Sequence, residues 1–154
     1  MFTFGQIPTH GEWKSEIGVS DDKRALSITF ADFQVTVGGG KSPAPLATRL
    51  YSLILPLEGG DTRAEIEFIV QGLVVAPAGA TASIVCSVNG QTTVADFSKP
   101  SDESFVHKLQ FAAERPRECR LCVFLMLGRD SKNTDVEAFL NVTSIDAELL
   151  PRPR

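Results

Sequence analysis

Apolar and polar residues alternate with a period of two along most of this chain, as in strands that bury one face. The segment from Arg63 to Val75 begins this way, with Ile66, Phe68 and Val70 predicted to face a core. No apolar period of 3.6 residues persists for three turns. We expect seven to nine strands, separated by turns that contain Gly, Pro or Asn-Gly. The pattern predicts an all-β chain that folds as an antiparallel β-sandwich of the jelly-roll or immunoglobulin-like kind.

The longest nearly unbroken apolar run is Cys119–Leu127. As a helix this run would be short and apolar on every side, so we interpret it as a strand with both faces covered. The leucines and the valine of one parity are predicted to fill the core. Cys122, Phe124 and Met126 then lie on the opposite face of the same strand.

A second segment, from Leu46 to Leu57, is also apolar on both parities. One face of a sandwich strand normally meets water and is polar, so a strand with two apolar faces needs a cover. We therefore predict a non-catalytic interaction or assembly module that contacts a second copy or another protein. The candidate partner-contact residues are Cys122, Phe124, Met126, Tyr51, Leu53 and Leu55.

The length of 154 residues suits one domain. Residues 1–20 contain scattered Gly and Pro, and we expect an N-terminal arm with at most a short strand. Trp13 lies in this arm and is predicted to cover one edge of the core. Residues 21–150 are predicted to form the sandwich, and residues 151–154 a disordered tail.

Two local signals predict features within the sandwich. The apolar positions change parity between Phe30 and Phe33, which predicts a bulge or a bend. Asn89-Gly90 lies between strand-like segments and predicts a hairpin, since a type I′ turn needs positive φ at both central residues.

Charge and hydropathy narrow the classes of partner. A net charge of −4 and a pI near 5.2 argue against general nucleic-acid binding, which requires a basic face. No apolar run reaches the roughly 18 residues that a membrane span needs. The first residues lack the charged and apolar regions of a signal peptide. We therefore expect a cytoplasmic protein by default, or a secreted one if Met1 replaces a removed leader.

The three cysteines cannot form a complete disulfide framework. Cys119 and Cys122 form a C-x-x-C, but a redox motif places its first Cys at a helix N-terminus rather than in a strand. A structural zinc site would need a second pair of ligands, whereas Cys86, His10 and His107 are single and widely spaced. We expect reduced thiols, with a disulfide from Cys86 to Cys119 or Cys122 as the alternative.

No cofactor or metal is predicted. The run Gly38–Ser42 resembles a phosphate-binding loop, but Val35 occupies the position of that motif's first Gly, and Pro43 follows directly. The loop 128–135 is rich in oxygen ligands, but Lys132 stands where a calcium loop has Asp or Asn.

Two other functions remain open. One is a carbohydrate- or small-ligand-binding sandwich, which the single Trp and single Tyr beside ten Phe disfavour, because sugars usually stack on Trp and Tyr. The other is a hydrolase that uses His107 with an acid such as Asp32 or Asp96. Against it, the chain contains no G-x-S-x-G or H-E-x-x-H motif.

Two stretches resemble a known family. Asp21–Phe33 resembles the early strand, and Phe139–Asp146 the closing strand, of a family of uncharacterised small β-sandwich proteins from fungi and bacteria. Most members are secreted, but their usual paired cysteines and leader are not found in this sequence. The resemblance implies a sandwich fold and no particular activity.

Overall fold

The computed structural model describes residues 1–38, 45–60, 62–97, 100–130, 132 and 135–151. These residues form twelve strands and no helix, in two antiparallel sheets, which confirms the all-β antiparallel sandwich. The number of strands exceeds the seven to nine expected. The strands are β1 (Phe2–Phe4), β2 (His10–Gly11), β3 (Ser15–Val19), β4 (Ala25–Phe30), β5 (Gln34–Val37), β6 (Leu46–Gly59), β7 (Arg63–Ala76), β8 (Ala80–Val88), β9 (Gln91–Phe97), β10 (Ser101–Glu114), β11 (Glu118–Arg129) and β12 (Ala138–Leu149).

Sheet I has five strands in the order β1-β6-β11-β8-β9. Sheet II has the order β10-β7-β12-β4-β3-β2, and β5 also pairs with β12. Strand β11, which contains the apolar run Cys119–Leu127, lies in the middle of sheet I, as its hydrophobicity predicts. No helix in the described part of the chain could cross a membrane.

The core lies between the inner faces of the two sheets. Leu121, Val123 and Leu125 of β11 are fully buried, as are Phe68 and Val70 of β7. Burying one such side chain contributes about 1.5–3 kcal/mol relative to leaving it exposed. The alternation in β7 therefore reflects which side chains gain this energy, while Glu65 and Glu67, on the other parity, face outward and are only partly buried.

The first 20 residues contribute to both sheets, so the expectation of at most one short strand was wrong. Strand β1 pairs with β6 at the edge of sheet I, and Phe2 and Phe4 are buried. Strand β3 pairs with β4 in sheet II. Arg24 joins the ends of the chain, because its guanidinium donates to the carbonyl oxygens of Phe2 (3.2 Å) and Leu149 (2.8 Å). Strands of two to five residues are too short to give a period-2 signal.

The predicted bend and the predicted hairpin are both confirmed. Strands β4 and β5 are separated at residues 31–33 and pair with two parts of β12, which has a bulge between Val142 and Ser144. Asn89 and Gly90 have φ of 47° and 83° in the turn between β8 and β9. Only glycine and a few polar residues adopt such φ at low cost, which is why Asn-Gly marks this turn.

Three segments singled out in the sequence fall partly outside the described residues. Residues 39–44 of the glycine-rich segment, residues 131, 133 and 134 of the polar loop, and residues 152–154 of the tail are among those not described.

Candidate interaction surface

Four apolar side chains form a continuous row on the outer face of sheet I. Phe124 of β11 lies opposite Leu50 of β6 on one side and Val85 of β8 on the other. Val85 in turn lies opposite Val94 of β9. Directly opposite residues in antiparallel strands have Cβ atoms about 4.5–5.5 Å apart, so the four side chains contact their neighbours in sequence across the sheet. We call Leu50, Phe124, Val85 and Val94 the apolar row.

The apolar row is open to solvent. Val94 and Leu50 are 53% and 48% exposed, and Phe124 and Val85 are half-buried. The two rows beside it add Met126, which is 36% exposed, and Cys122, which is half-buried. The remaining positions of these two rows are Thr48, Ser83, Asp96, Ser52, Ser87 and Thr92.

The outer face of sheet II has a different composition. Of the twelve positions in the three rows of sheet I, only Asp96 is charged. Twelve corresponding positions on β10, β7, β12 and β4 include four charged residues: Lys108, Glu67, Asp146 and Glu148. Sheet II also exposes Val106, Leu73 and Val75, but these do not form a continuous row. The direct neighbours of Val106 and Leu73 are polar (Gln71, Ser104 and Asn141), and Val75 lies between Asp102 and Phe139. Depletion of charge around apolar side chains is typical of the centre of a protein interface, and only sheet I has it across its width.

The structure separates the six predicted partner-contact residues into two groups. Cys122, Phe124 and Met126 lie on the outer face of sheet I. Tyr51 and Leu55 are buried in the core, and Leu53, of the same parity, also faces inward. The prediction chose the wrong parity of β6, because both parities are apolar and only the pairing of Tyr51 with buried Val123 decides which faces the core. The outward residues of β6 are Leu50, Ser52 and Ile54.

Val85 and Val94 were not predicted as contact residues. On the outward face of β8, Val85 lies between Ser83 and Ser87, and Val94 is the only apolar residue on the outward face of β9. Their importance comes from their position in line with Phe124, which depends on the pairing of the strands. The only sequence signal is the Asn89-Gly90 turn, which fixes the register of β8 against β9.

Trp13 covers the edge of the core, as predicted, and neither face of its ring is open. Phe33 stacks on one face at 6.1 Å between ring centroids, and the Arg49 guanidinium lies 4.4 Å from the ring centroid. The indole nitrogen donates to the carbonyl oxygen of Leu50 at 2.9 Å. Tyr51, the single tyrosine, is 1% exposed. A sugar ring therefore has access to neither of the residues on which it would normally stack.

His107 lies between the sheets, where its Nε2 is 3.1 Å from the hydroxyl of Thr93. Asp32 lies in the bend between β4 and β5, strands that the order of sheet II separates from β10 by β7 and β12, and it forms an ion pair with Arg49 at 3.7 Å. Asp96 has the opposite parity from Thr93 and points to the outer face of sheet I. The arrangement does not bring His107 and either acid together. Among the described residues no group of three His, Cys, Asp or Glu could hold a metal ion.

All three cysteines are free thiols, so the alternative of a disulfide to Cys86 was wrong. Cys119 and Cys122 are three residues apart in one strand, so their side chains project from opposite faces. Burial raises the pKa of Cys86 and of Cys119 to about 12, which keeps both thiols protonated and unreactive at neutral pH. Cys122, on the outer face, is the one accessible thiol.

No model of a known protein family matches this chain, and no curated protein matches it significantly. The resemblance to small, mostly secreted β-sandwich proteins therefore stays a prediction.

Proposed function

We propose that this protein is a non-catalytic interaction module that associates with a second copy of itself through the outer face of sheet I. The observation that carries the proposal is the apolar row, which spans four strands without a charged or polar interruption. A sandwich that functions as a monomer has no need to leave such a row in water, because polar side chains are tolerated on an outer face.

A second copy fits this surface because a twofold axis brings the same residues together from both sides. Two rows that cross near Phe124 would cover each other, and each would exclude water from its counterpart. The charge-poor surroundings support the same arrangement, since like charges would otherwise meet across the axis.

The expected affinity is modest. Completing the burial of a half-exposed Leu, Val or Phe contributes about 1 kcal/mol, half of the value for full burial. Eight such side chains in two copies contribute about 8 kcal/mol, within the range of about 4–15 kcal/mol that association costs in lost freedom. At the low end of that cost about 4 kcal/mol remains, so we expect a weak dimer with a dissociation constant of about 1 mM.

The test is sedimentation velocity from about 10 μM to 1 mM. The wild-type protein should associate in a concentration-dependent way, and the variant with both Leu50→Lys and Val94→Lys should associate measurably less at every concentration. Leu73→Lys, an equally exposed leucine on sheet II, is the matched control and should dimerise as the wild type does. A wild-type monomer at 1 mM, or equal loss of dimer in the control, would overturn the proposal.

The carbohydrate-binding and hydrolase alternatives are supported less well. The first lacks an accessible Trp or Tyr, and the second lacks an acid beside His107.

A further inference from the structure

Strand β10 is a long edge of sheet II. It has 14 residues and pairs with β7 at every one of them, from Ser101 opposite Ala76 to Glu114 opposite Arg63. Among the described residues β7 is its only strand partner. The other edge strands are shorter: β1 has 3 residues, β2 has 2 and β9 has 7. An edge carries backbone N–H and C=O groups that another strand can bind.

β10 has only part of the protection that an edge usually has. It carries the charged residues Asp102, Lys108 and Glu114, and Glu103 lies on the inward-facing parity. The strand contains no proline, and its register with β7 is unbroken by any bulge. Lys108 is the only outward-facing lysine. A lone lysine discourages pairing with most strands, but it favours a partner that places an acid opposite it.

We infer that β10 pairs antiparallel with β10 of a second copy, about a twofold axis at Phe105. In this register Asp102 of each copy lies opposite Lys108 of the other, and Glu103 lies opposite His107. Asp102 and Lys108 are both exposed and share the outer face of sheet II, so two equivalent ion pairs form on one side of the new junction, which runs from Ser101 to Leu109 in each copy.

The charges select this register over its neighbours. Residues that lie opposite each other in two paired strands face the same side of the sheet. Lys108 can therefore lie opposite only even-numbered residues of the second copy, and the twofold axis must pass through a residue rather than between two. Axes at 106, 107, 108 and 109 place Lys108 opposite Ser104, Val106, Lys108 and Gln110, none of which is acidic. An axis at 111 places it opposite Glu114, but that carboxylate already forms an ion pair with Arg63 at 3.7 Å.

This contact uses a different surface from the outer face of sheet I. Each of the two contacts can therefore be tested, and refuted, independently of the other. Both are symmetric contacts between identical surfaces. A protein with two such contacts joins more than two copies, as a closed tetramer if the two axes meet at right angles and as a chain if they do not meet.

The experiment isolates the edge contact in the variant Leu50→Lys with Val94→Lys, in which the apolar row no longer associates. Sedimentation velocity at low salt should detect a remaining dimer in this background. Adding Lys108→Glu or Asp102→Lys should weaken that dimer about tenfold, because each change places like charges opposite each other twice. Combining both changes reverses each pair and should restore the affinity to within about threefold.

Lys132→Glu alters the net charge as Lys108→Glu does, but at an exposed loop position, and should leave the dimer unchanged. The inference is overturned if the combined variant fails to recover, if Lys132→Glu has the same effect, or if the background variant is monomeric at 1 mM. In the last case the proposal for the apolar row is untouched, because that row is tested by the difference between the wild type and the background variant.

Discussion

Phe124 and Val85 lie directly opposite each other on the outer face of sheet I, where a sandwich normally presents polar side chains to water. The strands that carry them are the two at the centre of the apolar row, and Leu50 and Val94 extend it to both sides. The functional proposal depends on this alignment, and the inner face of the same strands supplies the core.

The two faces of β11 should respond oppositely to the same substitution. Leu125→Asp should abolish the folded protein, because an unpaired carboxylate in the core costs several kcal/mol, on the order of the whole stability. Met126→Asp, at the next residue but on the outer face, should leave the protein folded. Circular dichroism and urea unfolding measure both. A folded Leu125→Asp variant would mean that β11 is not central to the core.

Removing the hydroxyl of Tyr51 should stabilise the folded protein. The oxygens of Tyr51 and Ser15 are both buried and have no hydrogen-bond partner in good geometry among the described residues, although the Ser15 hydroxyl is near enough to Tyr51 to act on its pKa. Desolvation of such a hydroxyl costs about 1–3 kcal/mol, so Tyr51→Phe should raise the free energy of unfolding by about 1 kcal/mol. Urea unfolding provides the measurement, with Ser15→Ala as a parallel change. A loss of stability in Tyr51→Phe would show that the two hydroxyls bond each other in solution.

Alkaline pH should destabilise the protein through Cys86 and Cys119. Their pKa is about 12 in the folded state, against 9.0 for an unperturbed thiol, so the unfolded chain loses these protons first. The folded state therefore binds more protons between pH 9 and 12, and stability falls by roughly 1 kcal/mol per thiol for each pH unit. The raised pKa of Tyr51, caused chiefly by burial, acts in the same direction at higher pH.

This pH dependence can be checked by urea unfolding between pH 8 and pH 10.5. Cys86→Ala and Cys119→Ala lower the stability at every pH by leaving a small cavity, but each should make the decline less steep. An equally steep decline in the double variant would contradict the account.

Arg49 should stabilise the packing of Trp13 over the edge of the core. Its guanidinium lies over the indole and donates to the carbonyl oxygen of Asp32 at 3.0 Å. Arg49→Met keeps most of the apolar contact and should lower the free energy of unfolding by about 1 kcal/mol. Because Trp13 is the only tryptophan, its fluorescence reports the change directly, with a red shift in the folded variant. Arg63→Met, an exposed arginine with ion pairs only, is the control and should change stability little.

The sequence predicted the sandwich and the central place of β11 because period-2 alternation and a long apolar run are local signals. It predicted the wrong parity for β6, since Leu50 and Tyr51 are both apolar and only one of them contacts the other sheet. The N-terminal strands were missed because pairing, rather than alternation, defines a strand of two or three residues. Of the four residues of the apolar row, only Phe124 was predicted as a contact residue. Val85 and Val94 complete it only once the strands are in register.

Cys122 allows the central claim to be measured at the surface itself. It lies one row from Phe124 and is partly accessible, whereas Cys86 and Cys119 are 0% exposed, so a maleimide should modify Cys122 alone in the folded protein. The account predicts that the rate of modification of Cys122 falls as the protein concentration rises from 10 μM to 1 mM. In the Leu50→Lys, Val94→Lys variant the rate should stay constant. A rate independent of concentration in the wild-type protein would contradict burial of this face by a second copy.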